Sequence, residues 1–216
     1  MHIGFSDTPA WVTAKADTSR NAGDGLRFRR CRCPTHLLRR DVERELLPMA
    51  RSLGLTVAAW GPLAQGALAA RTPRHGAPSA LSQGERSLVE SVRNVAAELD
   101  VTTAQVALAW LRSRSDLIHP VVGARTAAQL ADSMASSTLT LPEAALRQLT
   151  EGSDFSLGFP HDFLGEVEQD VLGAAAIPPG TTLTSTRKPA RGFPVSGVEN
   201  RVVVGSTALA TGDHAG

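Results

Sequence analysis

Short apolar segments alternate with amphipathic ones along the first 172 residues. Residues 3–5, 55–59 and 117–122 are apolar runs of strand length, and the longer two have the composition of strands buried on both faces. Apolar residues at helical spacing follow them, with Gly54 placed to end one helix. The helical segments are 10–18, 40–53, 88–99, 103–112, a segment opening at 126, and 142–150. This recurrence predicts an α/β fold with a parallel sheet, either doubly wound or a closed barrel.

Two segments lack this order. Residues 21–36 are irregular and rich in arginine, with neither a helical nor a strand period. Residues 173–216 are rich in Ala, Gly, Pro, Thr and Ser, apart from an apolar burst at 202–204. We expect one domain over residues 1–172 and a poorly ordered tail after it.

The composition and charge of the chain favour a small molecule as its binding partner. Its 216 residues are 42% hydrophobic and 20% charged, which is ordinary for a globular domain. The formal net charge of +1 gives no field for nucleic acid or a membrane surface. Because no run of about 20 apolar residues and no signal peptide is visible, we expect a cytoplasmic protein.

Cys31 and Cys33 are too close for an easy disulfide and too few for a metal framework, so no metal is expected.

The first candidate binding segment is residues 60–66, which follow a predicted strand at its carboxyl end, where parallel α/β folds bind ligands. Trp60 offers a flat face for stacking, Pro62 fixes a turn, and Gly61 and Gly66 let a ligand approach the backbone. A tight turn with a core tryptophan explains the same residues equally well.

The second candidate is residues 123–125 together with the helix that follows. Gly123 and Ala124 leave backbone amides open at a helix start, and Arg125 adds a guanidinium suited to phosphate. Gln129 and Asp132 lie three apart on that helix and could meet a planar base together. The alternative is a solvated arginine in a turn and two ordinary exposed polar side chains.

Four segments resemble successive signatures of the aldo/keto reductases, in the order and at the spacing of that family. They are GFSDTPAW at 4–11, DVERELLPMA at 41–50, WGPL at 60–63 and GARTAAQLAD at 123–132. The resemblance implies a partial (β/α)8 TIM barrel. It places residues 3–5 at the end of the fifth strand, so that residues 1–172 would be the C-terminal half, about strands 5 to 8.

The resemblance also implies an NADP(H) site. Ser6 and Asp7 would bind the nicotinamide carboxamide, although a common family form has Asn in place of Asp7, and Trp60 would stack on the ring. The backbone amides of residues 61–66 would cradle the pyrophosphate, and Gln129 and Asp132 would contact the adenine. Arg125 would face the 2′-phosphate, which favours NADP over NAD. The expected contacts are Ser6, Asp7, Trp60, Gly61, Pro62, Leu63, Ala64, Gln65, Gly66, Gly123, Ala124, Arg125, Gln129, Asp132 and Ser133, the last in place of the more usual Asn. We expect binding by this chain to be weak or absent.

The family reduces carbonyl groups, with a tyrosine as proton donor supported by lysine, aspartate and histidine on the first four strands. This chain contains no tyrosine, and Lys15 and Lys188 do not match the catalytic lysine. We therefore expect a truncated and inactive reductase with no catalytic residue. Two alternatives remain: a non-catalytic nucleotide-binding or regulatory module, and a half-barrel completed by a partner chain or by self-association.

The irregular residues 21–36 occupy the place of the sixth strand of the family. Read one base earlier in phase, the codons for residues 30–36 can give Leu-Gln-Val-Pro-Tyr-Ser, which resembles the sixth strand of the family and includes its carboxamide-binding Gln. Our hypothesis is that this segment is translated out of frame. Arg27, Arg29, Arg30 and Arg32 cannot all occupy a strand buried on both faces. A strand here would show low order or arginines that face outward.

Overall fold

Four parallel strands form one sheet in the computed structural model, which describes residues 3–21, 28–69 and 81–172. The strands are β1 (Ile3–Ser6), β2 (Phe28–Pro34), β3 (Thr56–Trp60) and β4 (Ile118–Pro120). They lie side by side in sequence order, β1-β2-β3-β4. A doubly wound sheet reverses its strand order at a switch point, whereas a (β/α) barrel adds strands in sequence. The described strands show no such reversal, and their order is the one in which a barrel adds strands.

Seven α-helices and two short 3₁₀ segments connect and cover the described strands. The helices are α1 (Ala10–Asn21), α2 (Leu46–Leu53), α3 (Gln83–Glu98), α4 (Thr103–Ser113), α5 (Ala127–Ala135), α6 (Glu143–Glu151) and α7 (His161–Leu172). The 3₁₀ segments are Asp41–Glu43 and Ala64–Ala69. Ser82 and Glu85 form a capping box at the start of α3, and Gly54 ends α2 at a φ of 65°. No helix in this described part of the chain has the length and apolar character needed to cross a membrane.

The hydrophobic core lies on one side of the sheet. Cys31, Val57 and Ile118 point to that side and are buried in one cluster with side chains of α3 and α4. Trp110 of α4 is 1% exposed and is one of the largest fully buried side chains. The core therefore forms between the sheet and its helices, and it leaves the other face of the sheet uncovered by described residues.

Strand β2 corrects, for residues 28–34, the expectation that residues 21–36 are irregular. Cys31 and Cys33 are buried toward the helices, while Arg30 and Arg32 are exposed on the opposite face. Arg29 is exposed at the start of the strand. A strand in this segment was expected only with low order or outward-facing arginines, and β2 has outward-facing arginines because one of its faces is open. Arg27 and the expected tail at 173–216 lie outside the described residues.

Two further expectations are corrected by the helices. The segment 40–53 is divided, because Pro48 lacks an amide proton and its ring would clash with the carbonyl four residues before it, so α2 begins only at Leu46. Residues 161–172, which lie beyond the last predicted helical segment at 142–150, form helix α7. Phe159 and Phe163, which lie before and in the first turns of α7, are 85% and 53% exposed.

A buried ion-pair network joins the 3₁₀ segment before α2 to α4 and to the end of α6. Arg40, which is 8% exposed, contacts Glu43 at 2.8 Å, and Arg114 contacts the same carboxylate at 3.0 Å. Arg40 also donates to the Thr150 carbonyl at 3.0 Å and to Ser153 Oγ at 2.5 Å. Each charge of this network has a partner, as buried charges require.

Candidate functional site

Ser6, Asp7 and Trp60 meet at the carboxyl ends of β1 and β3. The Trp60 indole Nε1 donates a hydrogen bond to Asp7 Oδ1 at 2.9 Å, and Ser6 Oγ donates to Asp7 Oδ2 at 2.8 Å. Strand β2 lies between β1 and β3. The backbone amide of Asp7 donates to the carbonyl of Arg32 in β2 at 2.8 Å, which attaches the cluster to this middle strand. Three residues that are distant in sequence thus form one polar cluster at the strand ends.

Asp7 is held in an unusual conformation as an ionised carboxylate. Its φ of 51° lies in the left-handed region, which Asp adopts more readily than most residues. The hydrogen bond from Trp60, followed by that from Ser6, lowers the pKa of Asp7, and the charge of Arg32 adds to this effect. The carboxylate therefore remains a hydrogen-bond acceptor for the indole at neutral pH.

Trp60 is fixed at its N–H edge and is 36% exposed. An indole held in this way offers aromatic surface to a planar ring without a loss of side-chain freedom on binding. The sequence left open whether Trp60 is a core residue. It is not, because its side chain is 36% exposed.

The segment after Trp60 is a strained turn that contains buried Pro62. Non-glycine residues at positive φ cost free energy and cluster at ligand-binding segments. Four residues of the turn have positive φ, namely Gly61 (63°), Ala64 (48°), Gln65 (56°) and Gly66 (105°).

Part of the backbone of this turn is already hydrogen-bonded within it. The amide of Ala64 donates to the Gly61 carbonyl at 2.9 Å, and the amide of Gly66 donates to the Leu63 carbonyl at 2.9 Å. Both amides were expected to face the pyrophosphate, so the turn as it stands offers fewer free donors than expected.

Arg125 stands exposed immediately before helix α5, after the exposed residues Gly123 and Ala124. Its backbone amide donates to Gln129 Oε1 at 3.0 Å, and Thr126 Oγ1 caps the helix by accepting from the Gln129 amide at 3.2 Å. Among the described residues, no hydrogen bond or ion pair engages the Arg125 guanidinium. It is therefore available to an anion near a helix start.

The three residues expected at the adenine end are engaged elsewhere. Asp132 accepts hydrogen bonds from Thr102 Oγ1 and Gln105 Nε2, both at 2.9 Å, and so joins α5 to α4. Ser133 is buried, and the side-chain oxygen of Gln129 accepts from the Arg125 amide.

Sequence reasoning missed Arg32, because β2 was not expected. The signal was present in the alternation of Arg30, Cys31, Arg32 and Cys33, which has the period of a strand with one open face. The register places Arg32 beside Ser6 on one side and Ala58 on the other.

The chemistry of this set fits the two ends of a phosphorylated nicotinamide dinucleotide. An indole with exposed surface beside a carboxylate suits the nicotinamide, and a free guanidinium near a helix start suits a phosphate. Some of the polar groups expected to bind the pyrophosphate and the adenine already have hydrogen-bond partners within the chain.

The sequence model of the aldo/keto reductase family matches residues 1–154. The chain belongs to the aldo/keto reductase family. Norsolorinic acid reductase stcV of Emericella nidulans is 34% identical over 173 residues, covering 78% of this chain and 45% of that protein. The uncharacterized oxidoreductase YrpG of Bacillus subtilis is 34% identical over 158 residues, covering 69% of this chain and 48% of that protein.

The fold is also that of a solved aldo-keto reductase. The crystal structure of the thermostable aldo-keto reductase Tm1743 superimposes with a TM-score of 0.56 at 19% identity, covering 70% of this chain and 48% of that one. This chain of the aldo/keto reductase family thus has the α/β fold of a family of oxidoreductases. It spans about half the length of the curated relatives that it matches.

Proposed function

We propose that this chain is the C-terminal half of an aldo/keto reductase barrel, that it binds NADP(H) weakly, and that it cannot reduce carbonyl groups alone. The observation that carries the proposal is the Ser6, Asp7 and Trp60 cluster at the strand ends, with its indole fixed and 36% exposed. The assignment to strands 5 to 8 rests on the order of the four family-like segments. The sequential strand order and the match to about half of each relative are consistent with it.

Different residues of the chain bind different parts of NADP(H). Trp60 stacks on the nicotinamide, Ser6 and Asp7 bind its carboxamide, and Arg125 binds the 2′-phosphate. When bound, the dinucleotide supplies a hydride for carbonyl reduction. The remaining contacts are those of residues 61–66 with the pyrophosphate and of Gly123 and Ala124 with the phosphate that Arg125 binds. Gln129, Asp132 and Ser133 contact the adenine. Binding is weak because two amides of the turn and the carboxylate of Asp132 already have partners.

Carbonyl reduction also requires a proton donor. The family uses a tyrosine, and this chain has none. We propose that a segment or partner chain with the remaining strands supplies the donor and pairs with the outer strands β1 and β4. The uncovered face of the sheet would then become the interior of a closed barrel.

Calorimetric titration of the full chain with NADPH and with NADH tests the proposal. An arginine–phosphate contact is worth about tenfold in affinity. We expect NADPH to bind about tenfold more tightly than NADH, and Arg125→Ala to abolish this preference while leaving NADH unaffected. Arg147→Ala is the matched control, since Arg147 is exposed on α6. Equal affinities for the two dinucleotides in the unmodified chain would show that the 2′-phosphate assignment is wrong.

A further inference from the structure

A free arginine stands next to the Ser6, Asp7 and Trp60 cluster on the open face of the sheet. The strand register aligns Ser6, Arg32, Ala58 and His119 in one row across the four strands. Arg32 is exposed, and its immediate neighbours in the row are small. Within the described residues, its guanidinium makes no hydrogen bond or ion pair. The positive charge of Arg32 is therefore not neutralised by a direct contact.

Asp7 brings a negative charge to the same place. Its carboxylate accepts from Trp60 Nε1 and Ser6 Oγ, both neutral donors, so its charge is also not cancelled by a direct ion pair. The Asp7 amide donates to the Arg32 carbonyl at 2.8 Å, which fixes the two residues against each other through the backbone. A ring stacked on Trp60 would lie within the fields of both.

Other charged groups on this face lie farther away. Arg30 is two residues before Arg32 on the same face of β2, which places its backbone about 6.6 Å farther from the strand ends. His119 is separated from Arg32 by the strand that carries Ala58. Arg30 therefore provides an internal comparison for Arg32, with the same charge and strand face.

We propose that Asp7 and Arg32 act as opposed charges that set the relative affinity of this site for oxidised and reduced nicotinamide dinucleotide. The inference rests on the proposed function. An oxidised nicotinamide ring carries a positive charge and a reduced ring carries none, while the rest of the molecule is the same in both forms. Asp7 therefore favours the oxidised form, and Arg32 favours the reduced form. The ratio of the two dissociation constants isolates this effect from all contacts shared by both forms.

The test measures the Kd of NADP⁺ and of NADPH for the full chain and for three variants. Asp7→Asn removes the charge but keeps an oxygen acceptor for Trp60, and Asn tolerates the left-handed φ. Arg32→Gln removes the opposing charge. A unit charge close to the ring in a largely solvated site should change the ratio about threefold to tenfold. We expect Asp7→Asn to weaken NADP⁺ relative to NADPH and Arg32→Gln to do the reverse.

Arg30→Gln is the matched control and should change the ratio less than about twofold, because it lies farther from the ring and is solvated. Opposite shifts in the two test variants, with little change in the control, support the inference. Shifts in the same direction, no shift, or an equal shift in Arg30→Gln overturn it while leaving the cofactor site intact. If neither form binds the unmodified chain, the proposed function fails and the inference fails with it.

Discussion

At the scale of single residues, the candidate site depends on the carboxylate of Asp7. It accepts hydrogen bonds from both Trp60 and Ser6 and so fixes the indole relative to the ends of β1 and β3. The family resemblance predicted each of these residues separately. Their hydrogen bonds require an oxygen near the indole N–H, which Asp and Asn can both supply; the departure from the common Asn therefore adds a charge without removing the acceptor.

The protonation of Asp7 gives a pH-dependent prediction. Because its pKa is lowered in the folded state, the stabilisation from its ionised form is present above the unfolded pKa and is lost as the pH falls through the folded pKa. In a Trp11→Phe variant, which removes another exposed tryptophan, we expect Trp60 emission to stay constant down to about pH 4 and to change only below it. Adding Asp7→Asn should abolish this transition. A midpoint at or above about pH 4, the ordinary range of an Asp side chain, would contradict the assigned hydrogen bonds.

At the scale of secondary-structure elements, the sequence predicted strands best where both faces of the strand are buried. The run at 55–59 has both faces of a strand apolar, and β3 was predicted within one residue. Strand β2 was missed because Arg30 and Arg32 are incompatible with burial on both faces, and the sequence does not show that one face is open. The partners of Asp132 could not be predicted either. Its carboxylate accepts hydrogen bonds from Thr102 and Gln105, which lie 30 and 27 positions earlier in the chain, and a helical pattern does not reveal contacts at such separations.

The buried network around Glu43 provides a test of how the elements are held together. Burial alone would raise the pKa of Glu43, but hydrogen bonds from Arg40 and Arg114 outweigh it and keep the pKa low. Glu43→Gln leaves Arg40 buried without its ionic partner. We expect the free energy of unfolding in urea to fall by about 3 kcal/mol.

The same substitution at an exposed pair is the control. Glu90 pairs with Arg93 on the surface of α3, where both side chains are about half exposed. Glu90→Gln should lower the free energy of unfolding by no more than about 0.5 kcal/mol. Equal losses in the two variants would show that the Glu43 network contributes no more than a surface ion pair.

At the scale of the whole molecule, the described residues form a sheet with its core on one side and an open face on the other. This face is polar, because it carries Ser6, Arg30, Arg32, Thr56 and His119. Because the sequence contains no tyrosine, the chain lacks the proton donor that the family uses to reduce a carbonyl, whereas the residues proposed to bind the cofactor are present. These two features agree with a chain that binds its cofactor at the strand ends and requires another source for the proton donor.

A fluorescence titration of the full chain with NADPH tests this account most directly, because Trp60 lies at the centre of the proposed site. We predict saturable quenching with a Kd near 100 μM, about −5.5 kcal/mol. The quenching should be retained in Trp11→Phe and lost in Trp60→Phe, since Trp110 is buried. No saturable quenching up to about 1 mM NADPH, or equal quenching with and without Trp60, would contradict the account.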